Sequence, residues 1–346
     1  MKNYNVALVG LGNVNRTLAQ ILHTDAARLA EETGFTLRVT GITDLRLGTV
    51  VDPDGVDMGA VLALRQGETF AAIGGVETCD NETFIRTCPA DIVVEATFTN
   101  PLDGEPALSH VRWALESGKS VCTTNKGPAA FAARELKALA AEMGVRFEYE
   151  GAVMSGTPVL RLASGPLEAV GMTGFSGILN GTSNYILGRM EAGLSQAEAI
   201  AEAQDHGYAE ADPTADIGGS DVRLKVTVLA NDILGANLHA HEVPMEGITG
   251  ITPEMVAEAL SRGAHWKLIG QGSKADDGTV TVSVAPQMLD ADHPLAGVAG
   301  ATNAVMFDTR FLGAVTISGP GAGRVETAYA LLSDIIAIDA YSRQHG

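Results

Sequence analysis

Residues 5–15, NVALVGLGNVN, run from an apolar strand pattern through Gly10 and Gly12 directly into a helical one. A strand that feeds a helix after so short a turn rejoins its own sheet by a parallel crossover, so this stretch commits the first half to βαβ units. The alternation continues downstream. Residues 5–10 read as a buried strand, 14–33 as a helix stopped by Gly34, and 36–43 as the next strand. Further strands are expected at 91–96 and 120–124, with helices at 106–117 and 128–143. Elements at this spacing predict an α/β fold with a doubly wound parallel sheet.

The second half changes character. Strand-like runs at 145–153, 168–178, 265–272, 278–286, 303–309 and 312–318 predict an antiparallel or mixed sheet, and Asp276-Asp277-Gly278 is a hairpin signal. Helices are expected at 181–192, 195–206, 220–235 and 252–262. Ser195 with Glu198 makes a capping box, and Thr252-Pro253 supplies an N-cap and an N1 proline. A last helix, 324–342, follows Gly319-Pro-Gly-Ala-Gly323. With 346 residues, 46% of them hydrophobic, the chain suffices for two domains, the second of them α+β.

Charge and cysteine usage narrow the partners. A net charge of −19 would repel a phosphate backbone or an anionic membrane, so the expected partner is a small molecule, with no nucleic acid and no membrane. Cys79, Cys88 and Cys122 have no metal-type spacing and leave one thiol unpaired in any disulfide scheme, as suits a reduced cytoplasm. No apolar run approaches the ~20 residues of a membrane span, and the N-terminus reads as a strand rather than a signal.

Gly10 and Gly12 between a strand and a helix are the context of a dinucleotide fingerprint. Gly10 permits the tight turn, Gly12 admits a pyrophosphate, and the helix start at Asn13 and Val14 offers N–H groups to it. Asn15 replaces the third glycine, which relaxes the helix–strand packing. Asp44, closing the second strand, can accept from an adenosine ribose, whereas Arg46 could pair with a 2′-phosphate, so NAD and NADP both stay open. Thr97 and Thr99 end one strand, and Lys126, in Thr123-Thr124-Asn125-Lys126-Gly127-Pro128, follows the next. Strand ends of this kind bind ligands in open α/β sheets.

Residues 207–225, GYAEADPTADIGGSDVRLK, gather Glu210, Asp212, Asp216 and Asp221 ahead of Lys225. Ser220 reads as an N-cap, which puts Asp221 in the first helical turn and Lys225 one turn later on the same face. Such a cluster can hold an amino-acid substrate, its acids taking the ammonium and its lysine a reacting oxygen. An ordinary surface Asp–Lys pair is the other reading of the same spacing.

Together VALVGLGNV, VVEATFTNPLDGEPA, TTNKGP, YEGAVMSGTPVL, GILNGTSNYIL, GYAEADPTADIGGSDVRLKV and GPGAGRVETA closely resemble homoserine dehydrogenases, in the family's order from residue 6 to about 328. The resemblance implies a Rossmann-type nucleotide-binding domain over 1–128, rejoined by 319–346, and a catalytic and dimerisation domain over 129–318. It implies interconversion of L-aspartate 4-semialdehyde and L-homoserine with NAD or NADP, in threonine and methionine biosynthesis, by a homodimer. Lys126 and Lys225 would be the catalytic pair, with Lys225 the proton donor, and Glu210, Asp216 and Asp221 would hold substrate. Thr97, Thr124, Lys126 and Gly323 would contact the cofactor. A structural monovalent cation, sodium in the family, would map to Glu150 and the carbonyls of Val153, Ser155 and Thr157. Two positions depart from the pattern: Asn15, and Arg324 where another glycine is usual. The short tail after the last helix predicts no regulatory domain and no threonine inhibition through one. A dehydrogenase of another amino-acid semialdehyde or hydroxy amino acid, and a silent nucleotide-binding sensor, are the rival readings.

Overall fold

The computed structural model describes residues 1–345. Its elements begin with β1 (Lys2–Val9), α1 (Asn13–Thr24), α2 (Ala26–Thr33), β2 (Phe35–Asp44), β3 (Gly48–Val51), α3 (Met58–Ala63) and α4 (Asn81–Thr87). There follow β4 (Ile92–Glu95), α5 (Ala107–Glu116), β5 (Ser120–Thr123), α6 (Lys126–Glu142) and β6 (Phe147–Glu148). The later part holds α7 (Val159–Ser164), β7 (Met172–Ile178), α8 (Gly181–Glu191), α9 (Gln196–Asp205), α10 (Thr214–Ile217), α11 (Ser220–Ile233) and α12 (Pro253–Ser261). It closes with β8 (Ala264–Lys274), β9 (Val280–Asp290), β10 (Thr302–Thr309), β11 (Gly313–Pro320) and α13 (Arg324–His345).

Two compact units result: Met1–Ala152 with Gly323–Gly346, and Val153–Ala322. The first extends past the expected 128 because β6 pairs in parallel with β5 and α6 packs on α5. Its sheet has the order β3-β2-β1-β4-β5-β6, parallel except where β2 and β3 form a hairpin. Residues 6–9 of β1 and 92–94 of β4 are apolar and buried, as a sheet covered on both faces requires. Ala328, Leu331, Leu332, Ile335 and Ile338 of α13 join Val6, Leu8, Leu18 and Val94 in one core, so the last helix completes this unit.

The second unit carries a wholly antiparallel sheet, β11-β10-β7-β8-β9. Helices α8, α11 and α12 pack on it. The β8–β9 hairpin closes with Gly278 N–H donating to Ala275, at the turn that Asp276-Asp277-Gly278 signalled. The Ser195–Glu198 capping box and the Thr252 N-cap form as expected. Four local expectations change. The helix foreseen at 14–33 breaks at Asp25 into α1 and α2. The strand foreseen over 145–153 shrinks to β6 and a 3₁₀ turn at Glu150–Ala152. The stretch ahead of Ser220, for which no helix was expected, contains α10. The N-cap of α11 is Gly219, left-handed at φ 88°, not Ser220, whose hydroxyl donates back to the Ala215 carbonyl instead.

Candidate functional site

In the first unit, the end of β1 turns at Gly10 (φ 78°), where any Cβ would lie 3.1 Å from the Ala96 carbonyl oxygen. Gly12 is the N-cap of α1, with no side-chain cap and open space where a Cβ would point. The N–H groups of Asn13 and Val14 begin the helix beside that space, an arrangement suited to a phosphate. Asn15 is fully buried, and its Nδ2 donates to the carbonyls of Val9 (3.2 Å), Gly10 (2.7 Å) and Val94 (3.3 Å). The relaxed packing expected there is therefore a tie between helix and sheet.

Asp44 ends β2 and grips the same turn. Its Oδ2 accepts from Leu11 N–H at 2.8 Å, and its Oδ1 accepts from the N–H groups of Arg46 (2.9 Å) and Leu47 (3.2 Å). The Arg46 side chain is exposed. Thr97 follows β4, half-buried, and Thr124 follows β5. Lys126, also half-buried, is the first residue of α6, whose cap is Asn125 accepting from Gly127 N–H at 3.0 Å.

In the second unit, Lys225 is 6% exposed near the start of α11. Its Nζ donates to Asp221 Oδ2 at 2.7 Å and to the Leu179 carbonyl at 2.6 Å. The i,i+4 spacing thus produces a largely buried ion pair, not a surface one. Asn180, just after β7, brings in the third group. Its Nδ2 donates to Asp216 Oδ1 (2.7 Å) and Asp221 Oδ2 (3.0 Å), while its Oδ1 caps α8 by accepting from Ser183 N–H. Asp216, Asp221 and Lys225 are therefore assembled. Glu210 is exposed on the preceding loop, held through its carbonyl by Gln204 Nε2 at 3.0 Å. Asp212 does a different job: hydrogen bonds from the Thr214 hydroxyl and N–H hold its carboxyl below the usual range just ahead of α10.

The chain as a whole has close counterparts among known proteins. The homoserine dehydrogenase family profile matches residues 158–336. An NAD(+)-dependent homoserine dehydrogenase of Pseudomonas canavaninivorans is 54% identical over 340 residues, 98% of this chain and 97% of that protein. The chain belongs to the homoserine dehydrogenase family. Among solved structures, a putative homoserine dehydrogenase from Archaeoglobus fulgidus superposes with a TM-score of 0.86 at 33% identity, covering 97% of this chain and 99% of that one. A hyperthermophilic archaeal homoserine dehydrogenase in complex with NADPH gives 0.81 at 29% identity, covering 98% of each.

Within this homoserine dehydrogenase fold, Asn180 is the site residue that the carboxylate-rich motif did not reveal. The only signal was its place in Asn180-Gly-Thr-Ser-Asn184, a stretch specific to the family. The glycine run before α13 is dictated by crowding: a Cβ on Gly321 would lie 2.1 Å from the Asn303 carboxamide. Gly323 adopts φ 132°, and Arg324 is exposed as the first residue of α13. The Val153–Thr157 stretch is buried apart from Gly156 and contains two non-glycine residues at positive φ, Met154 (57°) and Ser155 (53°). Among the described residues, no three His, Cys, Asp or Glu side chains gather as metal ligands, and no helix is long and apolar enough to cross a membrane.

Proposed function

We propose that this homoserine dehydrogenase family member interconverts L-homoserine and L-aspartate 4-semialdehyde, with NAD⁺ preferred over NADP⁺. The observation that carries the reading is the buried Lys225–Asp221 pair at 2.7 Å, braced by Asn180. When bound, the nicotinamide supplies or accepts the hydride. As negative charge builds on the aldehyde oxygen, Lys225 Nζ stabilises it and donates the proton; in oxidation the same nitrogen, deprotonated, removes the hydroxyl proton. Asp221 balances the ammonium between turnovers. Asp216, Asp221 and Glu210 accept from the amino group of substrate, and Lys126 serves as the second catalytic ammonium.

The open space at Gly12 and the start of α1 fit a pyrophosphate, with Gly10, Asn13 and Val14 around it. Thr97, Thr124, Lys126 and Gly323 are assigned to the nicotinamide side. Asp44 favours NAD⁺: three backbone N–H groups fix its carboxylate, which accepts from ribose hydroxyls and repels a 2′-phosphate. Arg46, the candidate for that phosphate, contributes its N–H to holding Asp44. The NAD(+)-dependent Pseudomonas relative supports this preference.

A monovalent cation such as sodium would sit at Glu150 and the carbonyls of Val153, Ser155 and Thr157. The strained pair Met154–Ser155 and the burial of Glu150 support that reading, with the ion ordering backbone rather than doing chemistry. A homodimer is proposed through the antiparallel sheet, where Phe311 and Leu312 at the β10–β11 turn are 74% and 62% exposed. Sedimentation would give its mass. Three free cysteines suit a cytoplasmic location.

The test is absorbance of reduced nicotinamide on mixing protein with L-homoserine and either dinucleotide, beside Lys225→Ala. Turnover lost by at least about a thousandfold, with dinucleotide binding retained, supports the assignment. A variant that still turns over at a comparable rate removes Lys225 from the chemistry.

A further inference from the structure

The C-terminal edge of the parallel sheet contains a buried polar chain that the mechanism above does not use. Glu95, the last residue of β4, is 0% exposed, and His110 of α5 is 1% exposed. Glu95 Oε1 accepts from Thr97 N–H at 3.1 Å, from the Thr97 hydroxyl, and from His110 Nδ1 at 3.4 Å. Its Oε2 lies 3.0 Å from the Thr123 hydroxyl, which also donates to the Glu95 backbone carbonyl at 2.8 Å. Thr123 Oγ1 in turn accepts from Asn125 N–H at 3.0 Å. Asn125 caps the helix that begins with Lys126, and its Nδ2 donates to the Phe98 carbonyl at 3.0 Å.

The chain also runs the other way. Asn81 Nδ2 lies 2.9 Å from His110 Nε2, and Asn81 Oδ1 accepts from Thr43 Oγ1 (3.1 Å) and Cys79 Sγ (2.9 Å). With its Oδ1 engaged by those two donors, Asn81 presents its NH₂ to Nε2. Nε2 is then the acceptor, and the ring proton sits on Nδ1, facing Glu95. Thr43 immediately precedes Asp44, and its carbonyl accepts from Gly10 N–H at 2.8 Å.

We propose that Glu95 and His110 are positioning residues whose bonds set the Thr97–Phe98 turn and the cap of the Lys126 helix, and so hold the nicotinamide half of the dinucleotide. The inference rests on the cofactor assignment of the preceding section. A carboxylate buried this deeply is retained because it fixes several donors at once, and here two of its targets are backbone segments assigned to the cofactor. An apolar residue would pack the same volume but leave Thr97 and His110 without that acceptor.

Glu95→Gln keeps the shape but removes the negative charge that strengthens the three bonds accepted at Oε1. NADH and ADP-ribose, which lacks only the nicotinamide, are the probes. NADH affinity should fall at least about tenfold, ADP-ribose affinity by less than about twofold, and the KM for homoserine should hold within about threefold. Thr123→Val removes the link from Glu95 to Asn125 and leaves the Thr97 bonds, so kcat should fall while the NADH to ADP-ribose affinity ratio falls less than in Glu95→Gln. This second variant decides the matter if Glu95→Gln does not fold. Lys119→Met is the control: it removes a buried lysine that donates to the carbonyls of Ile85, Arg86 and Cys88 in the same unit, and should leave the NADH to ADP-ribose ratio unchanged. Equal loss of both probes in Glu95→Gln, or an unchanged kcat in Thr123→Val, overturns the inference. Wild-type protein that binds neither probe would overturn the cofactor assignment instead.

Discussion

Replacing Asn180 by Asp separates the site from the fold. Asp is as good an N-cap as Asn, so the bond to Ser183 N–H and the start of α8 survive. What disappears is the pair of Nδ2 bonds to Asp216 and Asp221, and a new carboxylate takes their place. Asn180 Nδ2 and Lys225 Nζ lie 3.0 and 2.7 Å from the same Asp221 oxygen, so the added charge falls within roughly 5–6 Å of the ammonium. At that separation the attraction is about 3 kcal/mol in a medium of effective dielectric ~20 and under ~1 kcal/mol in bulk water. Side-chain exposures of 7% for Lys225 and 17% for Asp221 put the site between those limits. The Lys225 ammonium should then hold its proton about one to two pH units further into the alkaline range. Homoserine oxidation needs the neutral amine, so the rising limb of kcat against pH shifts upward by that amount. The rate near neutral pH drops about 10- to 100-fold and recovers at alkaline pH. A rate that falls equally at every pH, with the limb unmoved, would refute the role given to Asn180 and to Lys225 together.

Three further outcomes are expected. Asp44→Ser removes the fixed negative charge at the end of β2, so the NADP⁺ to NAD⁺ ratio of kcat/KM should rise at least about tenfold; an unchanged ratio puts cofactor choice elsewhere. Asn15→Gly restores a glycine-only fingerprint but strips a donor from the carbonyls of Val9, Gly10 and Val94. Stability to urea should fall by about 1–3 kcal/mol, and a more stable variant would contradict the tie. Burial pulls the Lys267 ammonium below the ordinary lysine value, with Glu191 opposing, while Nζ bonds Asn184 Oδ1 and the Val298 carbonyl. Between that lowered value and the ordinary one, the unfolded chain binds the extra proton, so stability rises with pH across the window and the burial penalty stands in full below it. Urea midpoints of wild type and Lys267→Met at stepped alkaline pH check this, and a wild type that gains nothing relative to the variant rules it out.

What could be read along the chain was whatever depends on near neighbours. The passage from β1 through Gly10 and Gly12 into α1, the capping box at Ser195, and the alternation that makes the first sheet parallel all rest on contacts a few residues apart. Asp221 and Lys225 belong to that class, since one helical turn joins them. Long-range packing settled the rest. Asn180 lies 36 and 41 residues from the carboxylates it ties, and reaches them only because β7 and α8 set it beside the start of α11. Glu95, Thr123 and His110 meet because parallel pairing aligns Glu95 with Thr123 while α5 packs over both strands. Ser220 looked like a cap, but tertiary packing gave that position to the left-handed Gly219. A lysine and an aspartate at helical spacing are common on any surface. Burial beside a strand end, with Asn180 and Asp216 alongside, turned this pair into a candidate proton donor, because taking charge out of water makes every remaining contact stronger.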